Sequence, residues 1–436
     1  MAEEAQAQRV QLICLAAAAL LELFFFVMED RGNGVAWFYL ERYLTVPAMV
    51  FLGATLSRKL SRQAKQQLFF AGLVLAWFFV VQTTRRMQEM EKREIGTFFC
   101  VYAMCLPFAA ATRDGERQRG LKIVAALFLA VGVLLVGYGA LLYAGALPEY
   151  LKAYVHWDGT RFLALGHPNL CATLLMISIA FCLRCLLRAK KRWSKVALAV
   201  WSGVQFVVLS LTNGRTTVAF ACLLVGGVVF CALRKQGWKR FALALLAAVV
   251  VMGALFVSSQ KIVKVNKSYL NSAAQQAEEA GTPVVSQKKN GQSSWDKDIR
   301  TLNGRTYIWS SAAKGLRDNP QIKYVGTDYV GLIVSQYNPF PVGHTHNSWI
   351  EALYELGIPG LVIALMLTVA AVWDAVVLLW RNADPQKSCV ALLVLCLLGC
   401  ALLEPYLFLA NMEYQYFDFL FLLCLGYLHV WRTQAE

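Results

Sequence analysis

The sequence predicts an all-α polytopic membrane protein of about 12 transmembrane helices, with one large extracytoplasmic loop that contains short amphipathic helices. Of its 436 residues, 58% are hydrophobic and 16% are charged, whereas ordinary soluble domains have about 45–50% and about 25%. Apolar runs of roughly 20 residues, the length that crosses the hydrocarbon core, recur along nearly the whole chain. The runs lack the two-residue alternation of barrel strands, so we expect helices, which satisfy their own backbone hydrogen bonds in lipid.

The apolar runs set the expected helices and the expected domains. The helices cover residues 10–28, 35–56, 68–84, 95–112, 122–144, 169–187, 195–211, 216–233, 241–259, 358–380, 388–410 and 414–431. Three parts follow from these bounds: residues 1–259 with the first nine helices, residues 260–346 as the extracytoplasmic loop, and residues 347–436 with a short helix and the last three spans.

The basic residues predict the orientation of the chain. Clusters of Lys and Arg fall in alternate connections, at residues 58–65, 113–122, 188–195 and 234–240, and the positive-inside rule makes those connections cytoplasmic. Both termini are then inside, and residues 145–168, 212–215 and 260–346 share the outer face. One connection departs from this pattern, since it would place outside Arg85, Arg86, Lys92 and Arg93. Topology also explains the net charge of +15, so no nucleic-acid partner is expected.

The outer loop is expected to contain two different kinds of segment. Residues 271–298 have scarcely any large apolar side chain, so they cannot bury a core and a mobile strip is expected there. Residues 304–317 carry apolar side chains at helical spacing and are followed by Asp318-Asn319-Pro320, which predicts an amphipathic surface helix.

A second short helix is expected after Asn347, at the end of the loop. Ser348 and Glu351 have the spacing of a capping box, in which the two side chains bond backbone N–H groups at the helix start. Gly357 is expected to end this helix before the next span. His346 therefore lies immediately before a helix N-terminus.

Three segments with conspicuous polar residues follow one another along the chain. They are LTNGRTTVAF at residues 211–220, NGRTYIWSSAAKGLRDNP at residues 303–320 and HTHNSWIEALYELGIPG at residues 344–360. In these residues and in their order the chain resembles the O-antigen ligase and O-antigen polymerase family of bacterial membrane glycosyltransferases. The resemblance implies a GT-C-like fold in the bacterial cytoplasmic (inner) membrane, with an active site that faces the outside or the periplasm.

The resemblance also implies the substrates. The donor would be a glycan on a polyprenyl pyrophosphate such as undecaprenyl pyrophosphate, and the acceptor a hydroxyl of a glycolipid or of another glycan. A doubly anionic leaving group needs permanently charged partners, and the planar fork of Arg can bond two phosphate oxygens. Arg215 and Arg305 are therefore expected to bind the pyrophosphate. Because arginines can replace a divalent cation in this role, no metal and no cofactor is expected.

Both arginines also have a simpler interpretation. Arg215 could be a side chain that snorkels at a helix end, and Arg305 could be an ordinary solvated charge. An Arg in the first turn of a helix opposes the helix dipole, however, so Arg305 needs a compensating anion nearby.

His346 is expected to be the catalytic base. A hydroxyl nucleophile needs a base that titrates near the working pH, and histidine meets that requirement. A single displacement at the anomeric carbon would invert the linkage. The alternative for His346 is local hydrogen bonding at a helix start. The neighbours His344 and Asn347 are assigned only to the surrounding substrate site.

The segment RFLALGHPN, residues 161–169, resembles the loop that precedes span six in the family. Arg161, His167 and Asn169 are accordingly expected to line the acceptor side of the site. A helix that starts at Pro168 would explain the same residues structurally, and this alternative stays open.

Glu404 is a candidate that the family motifs do not explain. It precedes Pro405 within a late apolar run. An ionisable residue inside a membrane segment is a functional candidate by default, but the sequence names no partner for it.

Two kinds of alternative remain at this point. A repeat-unit polymerase or a protein O-glycosyltransferase of the same family would share the donor chemistry and differ in the acceptor. A polysaccharide flippase or transporter could have a similar number of helices, but it would be expected to show paired half-repeats and polar groups near the midplane. Here the polar residues cluster on one face, which favours the enzyme.

Overall fold

A computed structural model describes residues 114–434 of the chain, with gaps at 153–154, 159, 165–166, 235–237, 280–303, 328, 340, 382–383 and 409–414. The first four expected spans, at residues 10–28, 35–56, 68–84 and 95–112, lie outside the described residues, as do Arg85, Arg86, Lys92 and Arg93. The described residues are mostly helical.

The first half of the described chain contains five long helices and one hairpin. Helix α1 (Asp114–Tyr143) leads through a short 3-10 turn (Glu149–Leu151) to an antiparallel hairpin of β1 (Val155–Asp158) and β2 (Arg161–Ala164). The chain continues through α2 (Pro168–Arg188), α3 (Arg192–Leu211), α4 (Arg215–Leu233) and α5 (Trp238–Glu279).

The second half contains three short helices and three longer ones. The short helices are α6 (Arg305–Asp318), α7 (Ile322–Val325) and α8 (Val330–Ser335). They are followed by α9 (Ser348–Trp380), α10 (Pro385–Ala401) and α11 (Gln415–Gln434). Within α9, Gly357 has non-helical backbone angles (φ 70°, ψ −170°), so the helix is kinked at the residue that was expected to end its first segment.

Six helices of the described part of the chain are long and apolar enough to cross a membrane, namely α1 to α5 and α9. They coincide with the spans expected at 122–144, 169–187, 195–211, 216–233, 241–259 and 358–380. Helices α10 and α11 fall where the last two spans were expected, but their apolar stretches are shorter. The structure therefore supports a multi-pass helical membrane protein.

Three features differ from the expectation. The hairpin was not predicted, because each strand has only four residues, although Gly159-Thr160 has the Gly-X sequence of a two-residue hairpin loop. Helix α5 runs to Glu279 instead of ending at residue 259, since Ala, Gln and Glu are strong helix formers even where no core covers them. The helix expected at 388–410 ends at Ala401, and Pro405 disfavours helical backbone at the residue before it.

The chain divides into two compact units, which we describe separately. The hairpin unit comprises residues 124–292 and 379–396, and the His346 unit comprises residues 1–123, 293–378 and 397–436. In the hairpin unit, α2 is buried along most of its length and packs against α3, α4 and β2. In the His346 unit, α6 packs against α8 around Ile308, Ala312, Val334 and Tyr354.

Candidate active site

The backbone of the His346 loop is fixed by hydrogen bonds on both sides of the histidine. Thr345 donates its backbone N–H and its hydroxyl to the Glu351 carboxylate, at 2.7 and 2.5 Å. The Trp309 indole donates to the Thr345 carbonyl at 3.1 Å. On the other side, the Asn347 side-chain oxygen accepts the first free N–H groups of α9, each at 3.0 Å. His346 itself has φ of 54°, in the left-handed region that non-glycine residues rarely occupy.

This arrangement corrects the expected capping box. Asn347, and not Ser348, caps α9, because its side-chain oxygen bonds the helix N–H groups. Glu351 bonds Thr345 instead of reaching back to Ser348. The position of His346 directly before a helix N-terminus is confirmed, since α9 begins at Ser348.

Glu404 joins His346 to Arg305. One carboxylate oxygen lies 3.1 Å from His346 Nδ1, and the other accepts a hydrogen bond from the Arg305 guanidinium. Arg305 Nε also donates to the Leu403 carbonyl at 2.8 Å. The Glu404 side chain is only 5% exposed, while that of His346 is 26% exposed and is therefore accessible to a small molecule at the protein surface. Glu404 is thus the anion that an arginine in the first turn of α6 requires.

The chain around Glu404 is anchored to the start of α9. The Asn347 side-chain nitrogen donates to the Leu402 carbonyl at 3.0 Å. The Ser348 hydroxyl donates to the Glu404 carbonyl and accepts from the Leu407 N–H, both at 3.0 Å. Both ends of the Asn347 amide are therefore used to hold the loop and the helix together.

The electrostatics of the cluster favour an ionised Glu404. Burial by itself raises the pKa of this carboxyl, but the hydrogen bond and charge of His346, with the charges of Arg305 and His344, outweigh burial and lower the pKa to about 2. An ionised carboxylate can only accept hydrogen bonds, so His346 Nδ1 carries the proton in this contact. In the neutral imidazole the lone pair is then on Nε2.

His344 supports the unusual backbone of His346. Its Nδ1 accepts the His346 backbone N–H at 3.3 Å, and the two rings meet edge to face with centroids 4.1 Å apart. The structure thus brings together four residues that the sequence analysis singled out: Arg305, His344, His346 and Asn347. It adds Glu404 as the group that connects them.

In the hairpin unit, the residues expected on the acceptor side also come together. Arg161 donates to the Asn169 side chain at 2.9 Å and to the Thr212 carbonyl at 3.1 Å. His167 caps α2, because its Nδ1 accepts the Asn169 N–H at 3.2 Å. This bears out the structural interpretation of a helix start at Pro168 for His167. The same contacts tie the hairpin to the chain just before Arg215.

Arg215 is the first residue of α4 and is exposed. Within the described residues, no hydrogen bond or ion pair holds its guanidinium. The backbone directly before Arg215 packs closely against α2, since a Cβ on Gly214 would lie 3.0 Å from the Cβ of Ala172. The preceding Asn213 has a positive φ of 53°. Arg215 therefore combines an uncommitted guanidinium with the N–H groups of a helix N-terminus, both of which attract anions.

Sequence reasoning missed several positioning contacts. Glu404 was recognised as a candidate, but its partners could not be named, because they lie 99 and 58 residues away in the sequence. Thr212 lies inside the motif LTNGR, yet its role as a carbonyl acceptor for Arg161 is a backbone contact that no residue pattern indicates.

The structure can test the expected absence of a metal site only for the described residues. Among the described residues, no group of three or more His, Cys, Asp or Glu side chains could hold a metal ion. Asp296-Lys297-Asp298 has the D-x-D spacing that metal-dependent glycosyltransferases use, and it lies outside the described residues. The expectation of a metal-free reaction thus stays a prediction.

Comparison with known proteins gives two matches. The chain is 31% identical over 100 residues to the exopolysaccharide production protein ExoQ of Rhizobium meliloti, a match that covers 20% of this chain and 22% of that protein. Residues 200–365 match the family described as O-antigen ligase, a range that contains Arg215, Arg305 and His346 and excludes Glu404. With its six apolar helices, the described part of the chain is that of a multi-pass membrane protein. Through residues 200–365, it is similar to the O-antigen ligase family.

Proposed function

We propose that this protein is a membrane glycosyltransferase that moves a glycan from a polyprenyl-pyrophosphate carrier, such as undecaprenyl pyrophosphate, to an acceptor hydroxyl. The observation that carries the proposal is the contact between His346 Nδ1 and the buried Glu404 carboxylate. This contact leaves Nε2 as the proton acceptor of a partly exposed histidine, as a general base requires. The family match of residues 200–365 supports the same class of reaction.

The proposed reaction is one displacement. His346 Nε2 takes the proton of the acceptor hydroxyl while the hydroxyl oxygen bonds to the anomeric carbon of the donor. The bond between that carbon and the phosphate oxygen breaks, and the lipid pyrophosphate leaves with the electron pair. The new linkage is inverted. Glu404 stabilises the imidazolium that forms, as the carboxylate of a catalytic triad does, and the proton then passes to water.

The two arginines receive different roles in this proposal. Arg305 is bonded to Glu404 and to the Leu403 carbonyl, so we assign it first to holding the Glu404 carboxylate against His346. Arg215 is exposed at a helix start, and we assign it to the pyrophosphate itself, whose charge it would balance. Arg161 and Asn169 would act by holding the chain that leads to Arg215.

The acceptor is a hydroxyl of a glycolipid or of a growing glycan. The name of the relative, an exopolysaccharide production protein, favours a glycan acceptor and hence a polymerase. The family name favours ligation to a lipid acceptor. Transfer assays with a lipid acceptor and a glycan acceptor in parallel would separate the two.

Replacement of His346 by Ala tests the proposed function. Purified protein, lipid-linked donor and acceptor should form product, and His346→Ala should lower the rate by about 100-fold to 10,000-fold, the usual worth of a positioned acid or base. His429→Ala is the matched control, because His429 Nδ1 lies 3.1 Å from another buried carboxylate, that of Asp374. We expect its rate within a few-fold of wild type.

The same assay contains the outcomes that would contradict the proposal. Transfer at the wild-type rate by His346→Ala would show that this histidine is not the base. Donor movement across vesicles without a new glycosidic bond would favour a flippase or transporter. Parallel reactions with chelator and with Mn²⁺ or Mg²⁺ test the expectation of a metal-free reaction against Asp296-Lys297-Asp298.

The proposed site faces the outside of the cytoplasmic membrane. This orientation rests on the alternation of basic clusters. A reporter fused after Lys235 should therefore be cytoplasmic, and one fused near Gly281 should be extracytoplasmic. Reporters on the same side would contradict the orientation and, with it, access of His346 to an external acceptor.

A further inference from the structure

The chain between α6 and the His346 loop has apolar side chains on two opposite sides. Ile322, Val330 and Val334 are buried in the core that α6 and Tyr354 form. The other side carries Tyr324, Tyr329 and Leu332, which are 67%, 49% and 63% exposed. Three large exposed side chains over α7, the residue before α8 and α8 itself are not typical of a water-exposed surface, and they favour an apolar surrounding.

This segment touches α9 at the position where the lipid-facing surface of that helix begins. A Cβ on Gly357 would lie 2.8 Å from the Tyr324 carbonyl oxygen, and Thr327 donates its N–H to the Tyr354 carbonyl at 2.6 Å. Directly after Gly357, α9 exposes a row of apolar side chains: Ile358, Val362, Leu365, Met366 and Val369. The exposed side chains of residues 322–335 thus continue the surface that a membrane-spanning helix presents to lipid.

The segment is also connected to the His346 loop. The Ser335 hydroxyl accepts the Val342 N–H at 2.9 Å and donates to the Val342 carbonyl at 3.2 Å. A Cβ on Gly331 would lie 2.5 Å from the Gly343 carbonyl oxygen, so only glycine allows the α8 backbone this close to the loop. A displacement of α8 would therefore displace residues 342–343, directly before His344.

We propose that α7 and α8 bind the headgroup–acyl boundary of the membrane through Tyr324, Tyr329 and Leu332, and so hold the His346 loop at the depth of lipid headgroups. Tyrosine rings are enriched at this boundary, and a mixed aromatic and aliphatic face is typical of segments that lie in it. The occupant is the phospholipid bilayer, because the surface continues that of α9. The functional meaning of this depth rests on the proposed function, which is transfer from a lipid-linked donor. The membrane contact itself does not rest on that function.

A photoreactive benzoylphenylalanine at single positions of the full-length protein in phospholipid vesicles tests the contact. Leu332 is the test position. Val369, 68% exposed on α9, is the positive control, and Ser310, exposed on the side of α6 turned away from α8, is the negative control. Mass spectrometry should find phospholipid adducts at Leu332 and Val369, and about 10-fold fewer at Ser310, as expected for an interfacial segment.

Two crosslinking outcomes would overturn the proposal: adducts at Leu332 that join two protein chains, or a lipid yield at Leu332 as low as at Ser310. Leu332→Asp gives an independent measurement, because a 63% exposed side chain is not needed for folding. This variant should lose transfer from the lipid-linked donor several-fold and remain folded, and an unchanged rate would contradict the proposal. Absence of transfer in the wild type would defeat the proposed function, while the adducts would still decide the membrane contact.

Discussion

The His346 unit contains two clusters with the same chemical groups and different backbone settings. Glu404 is bonded to Arg305 and lies 3.1 Å from His346 Nδ1. Asp374 is bonded to Arg432 at 2.5 Å and lies 3.1 Å from His429 Nδ1. Both carboxylate side chains are at most 5% exposed, and the two histidines are 26% and 34% exposed. Neither composition nor exposure therefore separates the clusters.

The two clusters differ in the secondary structure that carries their carboxylate, histidine and arginine. Asp374 is on α9, and His429 and Arg432 are three residues apart on α11, so the second cluster joins two regular helices. The first cluster draws on three separate segments: the start of α6, the left-handed loop at His346 and the non-helical chain at Glu404. A strained, over-determined backbone is common where a side chain must be aimed for chemistry. In our proposal, this difference in backbone setting assigns catalysis to the His346 cluster and a structural role to the His429 cluster.

The largest expected effect is that of removing each carboxylate charge. Glu404→Gln should lower transfer by about 100-fold or more, because a neutral amide neither fixes the His346 tautomer nor stabilises its imidazolium. Asp374→Asn is the matched control and should leave transfer within a few-fold of wild type. It should lower the free energy of unfolding by about 1–3 kcal/mol, because His429 and Arg432 lose their carboxylate partner. Rates and thermal unfolding of both variants measure this. Equal losses of transfer would remove the distinction between the clusters.

A smaller effect is expected for the arginines. Arg305→Lys should lower transfer by about 10-fold, since a point charge cannot bond both Glu404 and the Leu403 carbonyl as the planar fork does. Arg215→Lys should have an effect of similar size if it bonds the pyrophosphate directly, and should weaken donor binding as well. Arg432→Lys is the control for both. Normal transfer by Arg305→Lys would show that this residue supplies only bulk charge.

The smallest effect concerns the pH dependence of stability. The folded-state pKa of Glu404 lies near 2, below its ordinary value of 4.5, so ionised Glu404 stabilises the fold fully above about pH 4.5 and progressively less as the pH falls toward 2. The difference in unfolding temperature between wild type and Glu404→Gln should shrink as the pH falls from about 4.5 toward 2. A difference that grows on acidification would contradict the ionised pairing.

The sequence by itself determined the membrane class, the approximate positions of the six described spans and the three motif segments, because apolar runs and local spacing depend on neighbours in the chain. It also placed His346 at a helix start and required an anion for Arg305. It could not determine the identity of that anion, since Glu404 is 99 residues from Arg305 and lies in a run whose hydrophobicity suggested a continuous span. The structure ends that helix at Ala401, before Pro405, and only the tertiary packing brings Glu404 to His346. The physical reason is that an ionised carboxylate in a buried position needs charged or hydrogen-bonding partners, and which partners reach Glu404 depends on the packing of distant segments.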